Sequence, residues 1–205
     1  VEIGVAQERI VLPHQVHGVR VLRIDETFPS RPESERRLAL EGIDALITNV
    51  PFMCIGVSTA DCIPIFFYDE RHHAVGVAHA GWRGTVAKIA CKTLQTMRRE
   101  YGTEPSDVLA AIGPGISVDH FEVGDEVYEA FSRAGFAMEL LAVRHERWHI
   151  DLPGSNAWLL QQCGVRAENI VRSPFCTYAD NHLFFSARRQ GALCGRIYNG
   201  ILLLK

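Results

Sequence analysis

The chain has 205 residues, of which 47% are hydrophobic and 22% charged, a balance typical of a globular protein that can bury a large core. Its formal net charge is −3, and its Lys and Arg residues are scattered, which disfavours nucleic acid as a partner because nucleic-acid binders usually carry a basic patch. No apolar run approaches membrane-spanning length, so we expect no membrane partner. The length of the chain predicts a single domain over residues 1–205.

Six cysteines are present, and none forms a Cys-x-x-Cys pair. A domain of this size needs no disulfide framework, so the cysteines indicate a reducing, cytoplasmic compartment. The chain begins at Val1 rather than at Met, so we expect the natural N-terminus to lie upstream. A signal peptide would be lost with it, and the predicted compartment therefore rests on the cysteines alone.

Short β-rich runs separated by turn residues dominate the first part of the chain and predict strands, several of which pair in sequence. These runs are residues 20–24, 44–50, 53–57, 63–68 and 74–79. Residues 26–41 form the most polar and proline-rich stretch, which predicts an exposed loop with a disordered centre. His72 and His73 adjoin each other at a predicted hairpin turn, where we expect them on the surface.

Three helices are predicted further along the chain. The first follows Gly84: Thr85 is the expected N-cap, apolar residues recur at helical spacing up to Met97, and Gly102 ends the helix. Residues 124–136 and 154–164 predict two more helices, each closed by glycine, whereas 108–112 and 196–204 predict strands. Clusters of strands with helices between them predict a mixed α+β or layered α/β fold.

Three apolar segments end abruptly in a metal-binding type of side chain beside a glycine or a turn. They supply His17, Cys62 and His79. Two imidazoles and one thiolate suit zinc with an open fourth position, and copper accepts the same set. Each residue also has an ordinary structural explanation as a core histidine or a buried thiol, and His14 competes with His17 as a ligand. The residues alone leave the metal site and its alternative equally favoured.

Two further segments are typical of ligand binding. Arg83 and Thr85 lie in a Gly-Trp-Arg-Gly-Thr run at a predicted helix start, which favours phosphate or carboxylate binding over an arginine that pairs within the fold. Arg188 and Arg189 follow two phenylalanines after the Cys176-Thr177-Tyr178 run. Paired arginines there would close a pocket over a nucleotide-like ligand, or else keep an exposed strand edge from pairing with another strand.

The motifs QVHG, TADCIPI, VAHAGWRGT, IGPGI, FEVGDEV, CT and FFSARR follow one another between about Arg9 and Leu204. In this order and spacing they resemble the laccase-domain family, long called multicopper polyphenol oxidases and now regarded as zinc-dependent purine nucleoside phosphorylases. The resemblance implies that His17, Cys62 and His79 bind the metal and that Arg83 is the family's arginine. It also implies an α/β/β/α layered fold.

The activity implied by the resemblance is phosphorolysis of adenosine, inosine and methylthioadenosine, with purine nucleoside and phosphate as partners and adenosine deamination as a second reaction. We expect the family's N-terminal segment to lie outside this sequence. The chain also departs from the family pattern in carrying Asp119 and His120 where many members have a Cys pair, and Ala187 where many have His or Tyr. These departures bear on specificity more than on the metal site.

The catalytic residues expected from the sequence are the three ligands and Asp61, which precedes Cys62 and would carry a proton, orient a ligand or serve only as a turn carboxylate. One alternative function is a copper-dependent polyphenol oxidase, although nine histidines are few for several coppers. Another is a Cys/His hydrolase with Cys62 as nucleophile, and a third is a metal-binding protein without turnover. A monomer and a weak homodimer both remain open.

Overall fold

A computed structural model describes residues 4–191 and 193–204. The strands are β1 (Ile10–Val11), β2 (Val21–Arg23), β3 (Ala45–Thr48), β4 (Cys54–Thr59), β5 (Ile63–Asp69), β6 (Ala74–Ala80), β7 (Leu109–Ile112), β8 (Glu122–Val123), β9 (Ala142–Arg144), β10 (Trp148–Ile150), β11 (Ile170–Arg172) and β12 (Ile197–Ile201). The α-helices are α1 (Glu33–Leu40), α2 (Trp82–Val86), α3 (Ile89–Tyr101), α4 (Asp125–Arg133), α5 (Met138–Leu141), α6 (Leu152–Gln162) and α7 (Ala187–Gln190).

The strands form three sheets. The largest has six strands in the order β11-β7-β5-β6-β3-β2, with parallel pairs at both ends and antiparallel pairs in the middle. A second sheet has the order β1-β4-β12, and a small antiparallel sheet has the order β8-β10-β9. The central strands are buried along nearly their whole length, as expected of strands covered on both faces.

The six-stranded sheet is the shared wall of two hydrophobic cores. On one face its side chains pack with α3 and α6, and Phe67 and Leu94 belong to this core. On the other face Leu46 and Val77 pack against Ile55 of the second sheet, and Leu40 of α1 contacts the same core. The result is a layered mixed α+β domain, as the sequence predicted. None of the described helices is long and apolar enough to cross a membrane.

The predicted strands and the helices α4 and α6 are confirmed, with Gly135 and Gly164 in the left-handed region just after those helices. The prediction of a loop at 26–41 is wrong, because half of that segment is helix α1, although most of its residues are exposed or half-buried. Acidic residues fill its first turn and Arg37 its last, an arrangement that the helix dipole stabilises. The helix predicted from Thr85 to Gly102 is two helices, because Lys88 takes a left-handed conformation between α2 and α3.

Two cysteines that the sequence left unpaired lie together. Cys91 on α3 and Cys163 just after α6 form a disulfide with their Cα atoms 5.7 Å apart. Such bonds persist mainly in oxidising compartments, so this pair removes the support that the cysteines lent to a cytoplasmic location. The exposed strand edge considered for Arg188 and Arg189 is not found: both lie in the short helix α7, which Ser186 caps by accepting a hydrogen bond from the N–H of Arg189.

Candidate metal centre

The three predicted ligands converge at one edge of the six-stranded sheet. His79 lies near the end of β6, and Cys62 immediately precedes the neighbouring strand β5. His17 reaches them from the connection between β1 and β2. The ligand atoms of the three side chains all lie within 4.8 Å of one another. The thiol and the two imidazoles are therefore placed where one ion could touch all three.

Exposure differs across this group of ligands. His79 is buried, Cys62 is half-buried, and His17 is exposed. The two imidazole rings meet edge to face with their centroids 4.8 Å apart. One side of the group is thus closed by the protein while the His17 side faces solvent, which is the arrangement of a metal site that keeps a position open for a ligand. His14 is not part of the group, because its Nδ1 pairs with Glu41 at 2.7 Å.

Asp44 is the residue that orients two of the ligands. Its carboxylate is fully buried and lies 2.8 Å from Nδ1 of His79. The same carboxylate accepts hydrogen bonds from the backbone N–H groups of His17 at 3.0 Å and Gly18 at 2.7 Å. Because Nδ1 of His79 donates to Asp44, Nε2 is the nitrogen left to bind a metal once it has lost its proton. The backbone bonds hold His17 in a left-handed conformation with φ of 61°.

Electrostatics within the group favour a thiolate. Burial raises the pKa of Cys62, but hydrogen bonds with His17 and His79 outweigh it and lower the pKa to about 7. Burial lowers the pKa of His79, but its hydrogen bonds with Asp44 and Cys62 raise the pKa to about 9. The thiol is therefore ready to ionise near neutral pH, and loading a metal would displace protons from the group.

Gly81 makes room for this arrangement. A Cβ atom at this position would lie 2.9 Å from Sγ of Cys62 and 2.9 Å from Cδ2 of His17. The backbone of Gly81 has φ of −69°, which every residue type adopts, so the space and not the conformation requires glycine. The thiol of Cys62 and the imidazole of His17 pack against Gly81, and a buried carboxylate holds the imidazole of His79. A thiolate and two imidazoles are a set of donors that fits zinc.

Comparisons with known proteins place the chain. A family model described as multi-copper polyphenol oxidoreductase laccase matches residues 1–204. The chain belongs to this family. A purine nucleoside phosphorylase of Bacteroides thetaiotaomicron is 45% identical over 201 residues, which cover 97% of this chain and 74% of the relative. Adenosine deaminase RL5, from an unknown prokaryotic organism, is 45% identical over 203 residues, which cover 98% of this chain and 77% of the relative.

Solved structures agree with the family assignment. The Bacillus licheniformis hypothetical protein YfiH superimposes with a TM-score of 0.88 at 30% identity, covering 97% of this chain and 76% of that one. YlmD from Geobacillus stearothermophilus gives a TM-score of 0.87 at 31% identity, covering 97% of this chain and 74% of that one. The expected resemblance to the laccase-domain family is thus confirmed, and so is the fold that it implied.

Asp61, predicted as a proton carrier or an orienting residue, has both carboxylate oxygens engaged. One accepts from the hydroxyl of Thr177 at 2.7 Å, and the other accepts from the backbone N–H of Arg188 at 2.7 Å. The residue is 9% exposed and takes a φ of 86°. The geometry therefore favours a carboxylate that ties the segment before Cys62 to the C-terminal part of the chain.

Arg83 and Thr85 differ in what they can contact. The exposed guanidinium of Arg83 lies over the ring of Trp82 at 4.3 Å, and it has no ion-pair partner among residues 4–191 and 193–204. Thr85 is fully buried, and its hydroxyl accepts a hydrogen bond from Asn156 at 3.0 Å. Thr85 is therefore neither the predicted N-cap nor placed to bind substrate; it joins α2 to α6.

Arg188 and Arg189 are exposed, and each is partly anchored to the backbone. Nη1 of Arg188 donates to the carbonyl of Glu122 at 2.9 Å. Nη1 of Arg189 donates to the carbonyl of Tyr178 at 2.8 Å, and the guanidinium lies over the ring of the same tyrosine. Each guanidinium keeps further N–H groups for a ligand, so both arginines remain candidates for contacts with an anionic or aromatic substrate.

Two residues of the site were missed by the sequence reasoning. Asp44 lies at the start of an apolar strand, and the sequence alone does not show which residue its carboxylate binds. Gly81 stands in the quoted Gly-Trp-Arg-Gly run, where the glycine was treated as part of an anion-binding turn. Its contact with the ligands arises from the pairing of Ile63 with Ala80 across β5 and β6, which no local pattern reveals.

Proposed function

We propose that this protein is a zinc-dependent purine nucleoside phosphorylase that cleaves adenosine, inosine and methylthioadenosine with phosphate into the free base and ribose 1-phosphate. The observation that carries the proposal is the convergence of the ligand atoms of His17, Cys62 and His79 within 4.8 Å, in a chain 45% identical to a purine nucleoside phosphorylase. Zinc held by two imidazoles and a thiolate supplies a Lewis acid with an open position.

Phosphorolysis requires an anionic phosphate held beside the anomeric carbon of the ribose. Arg83 supports this role because its guanidinium is exposed, unpaired among the described residues and two positions after Gly81, which packs on two of the ligands. A planar guanidinium binds phosphate through two parallel hydrogen bonds. We propose that Arg83 holds phosphate next to the metal group, and that Arg188 and Arg189 contact the substrate from the C-terminal side.

The proposal is tested by measuring the zinc content of the purified protein and assaying adenosine with and without phosphate. Adenine and ribose 1-phosphate are expected only when phosphate is present. Cys62→Ala should lose both zinc and activity, and full retention of both would exclude the site.

Arg83→Gln should raise the KM for phosphate about 10-fold or more, since a charge-assisted hydrogen bond contributes ~1.5–3 kcal/mol. Arg98→Gln, which removes an exposed arginine of α3, is the control.

Adenosine deamination is the second candidate, favoured by the similarity to Adenosine deaminase RL5. Its products are inosine and ammonia, and its rate does not depend on phosphate. Following the same adenosine reaction by ammonia release separates the two activities on one sample. Ammonia release at a rate equal to total adenosine loss would make deamination the main reaction and overturn the phosphorylase proposal.

Two other candidate functions, a Cys/His hydrolase and a copper-dependent oxidase, use the same three residues in different ways. The half-buried Cys62, whose pKa is lowered to about 7 beside two imidazoles, also suits a Cys/His hydrolase. The family description favours copper and phenol oxidation, and copper accepts the same donors. Activity that persists under strong chelation would favour the hydrolase, and phenol oxidation that follows copper content would favour the oxidase.

A further inference from the structure

A second polar group, distinct from the three ligands, consists of Ser117, His120 and Cys176. Nδ1 of His120 lies 3.2 Å from the hydroxyl of Ser117 and 3.8 Å from the thiol of Cys176. The backbone N–H of Ser117 donates to the same sulfur at 3.3 Å. The imidazole also stacks on Tyr178, with the ring centroids 4.4 Å apart. The ring is thus fixed both in its plane and along one face.

The neighbours of Nδ1 allow the proton of a neutral His120 to reside on Nε2. A hydroxyl and a thiol both approach Nδ1, and both are able to donate. With Nδ1 accepting, the hydrogen of a neutral imidazole resides on Nε2. No residue in the described part of the chain takes a hydrogen bond from Nε2. His120 therefore presents an oriented N–H donor without a protein acceptor.

This group lies beside the metal ligands at the same edge of the sheet. The N–H of Ile116 donates to the carbonyl of Asp61 at 2.9 Å, and the N–H of Thr177 donates to the carbonyl of Gly115 at 3.0 Å. The segments that contain Cys62, Gly115 and Cys176 thus run side by side, with Gly115 in the middle. Two spacings between adjacent backbones separate the segment of Cys176 from that of Cys62 by about 10 Å, which is close to the length of a nucleoside.

We propose that Nε2–H of His120 donates a hydrogen bond to N7 of the purine, with the ribose and phosphate lying towards the metal ligands and Arg83. This inference rests on the proposed function. When phosphate oxygen bonds to the anomeric carbon, the bond from that carbon to N9 breaks and its electron pair passes into the purine. The added electron density strengthens a hydrogen bond at N7, so the contact stabilises the transition state more than the substrate.

The contact is tested without turnover by calorimetric titration with adenine and with 7-deazaadenine, which lacks the N7 acceptor. The wild-type protein should bind adenine about 3- to 10-fold more tightly, the factor expected for one hydrogen bond. His120→Asn, whose shorter amide reaches only to the position of Nδ1, should bind both bases equally. His120→Gln, which restores an N–H near the position of Nε2, should recover part of the preference. An undiminished preference in His120→Asn would overturn the proposal.

Turnover gives a second reading of the same contact. His120→Asn should lower kcat for adenosine about 100-fold, the low end of the range for such groups, while 7-methylinosine, which has no free N7 lone pair, should lose less than about 3-fold. Equal losses on both nucleosides would show a structural role and overturn the assignment. His73→Asn, at the far end of β5 in the turn before β6, is the matched control. A wild-type protein that turns over neither nucleoside would contradict the proposed function, and the titration would still judge His120.

Discussion

Gly81→Ala tests whether the three ligands work as one packed group. The added Cβ would lie 2.9 Å from Sγ of Cys62 and from Cδ2 of His17, whereas ordinary contacts begin at 3.4 Å, so each ligand must move by about 0.5 Å. Metal sites tolerate deviations of only about 0.2 Å in ligand distances. We therefore expect zinc affinity to fall about 10- to 100-fold, as it does when residues that orient ligands are changed.

The assay is competition for zinc with a chromophoric chelator, with thermal unfolding of the metal-free protein measured in parallel. Gly76→Ala is the matched control, because a Cβ there would crowd Met97, Ile47 and Phe67 at 3.2–3.3 Å in the core, away from the ligands. Gly76→Ala should destabilise the metal-free protein and leave zinc affinity unchanged. Gly81→Ala should lower zinc affinity and leave the stability of the metal-free protein unchanged. Wild-type zinc affinity in Gly81→Ala would refute the reasoning.

Three further predictions concern Asp44, the disulfide and the thiol of Cys62. Asp44→Asn should weaken zinc binding about 10- to 100-fold because Nδ1 of His79 loses its charged partner; Asp107→Asn, a surface change, should have no effect, and equal zinc affinities would contradict this role. Reducing the bond between Cys91 and Cys163 should lower the free energy of unfolding by about 4 kcal/mol, the loop entropy for a separation of 72 residues; identical denaturant midpoints with and without a phosphine reductant would show that the bond does not form in solution. In the metal-free protein the alkylation rate of Cys62 should rise with pH around a midpoint of about 7, because its pKa is lowered, and zinc should suppress it; a midpoint at the usual thiol pKa would contradict the hydrogen bonds with the histidines.

The parts of the fold that the sequence predicted are those with a local signal. The Val-rich run of β6 and the apolar run of β5 are strands because their side chains are buried on both faces. Helix α1 was missed because its charges resemble those of a solvated loop, and its only apolar contacts with the second core are those of Ala39 and Leu40 among the described residues. The break at Lys88 was also missed, since lysine is an ordinary helix former and nothing in the local sequence marks its left-handed backbone.

The two carboxylates near the site show where sequence proximity misleads. Asp61 adjoins Cys62 in the chain, which made it the natural candidate for proton transfer, yet Thr177 and Arg188 occupy both its oxygens. Asp44 is distant from every ligand in the chain, yet it binds His79 and the backbone of His17. Strand pairing explains the difference, because the chain just before β3 is held beside the end of β6. The three candidate ligands, which the structure brings together, could be named from motif order, whereas the residue that would orient them is defined only by the sheet.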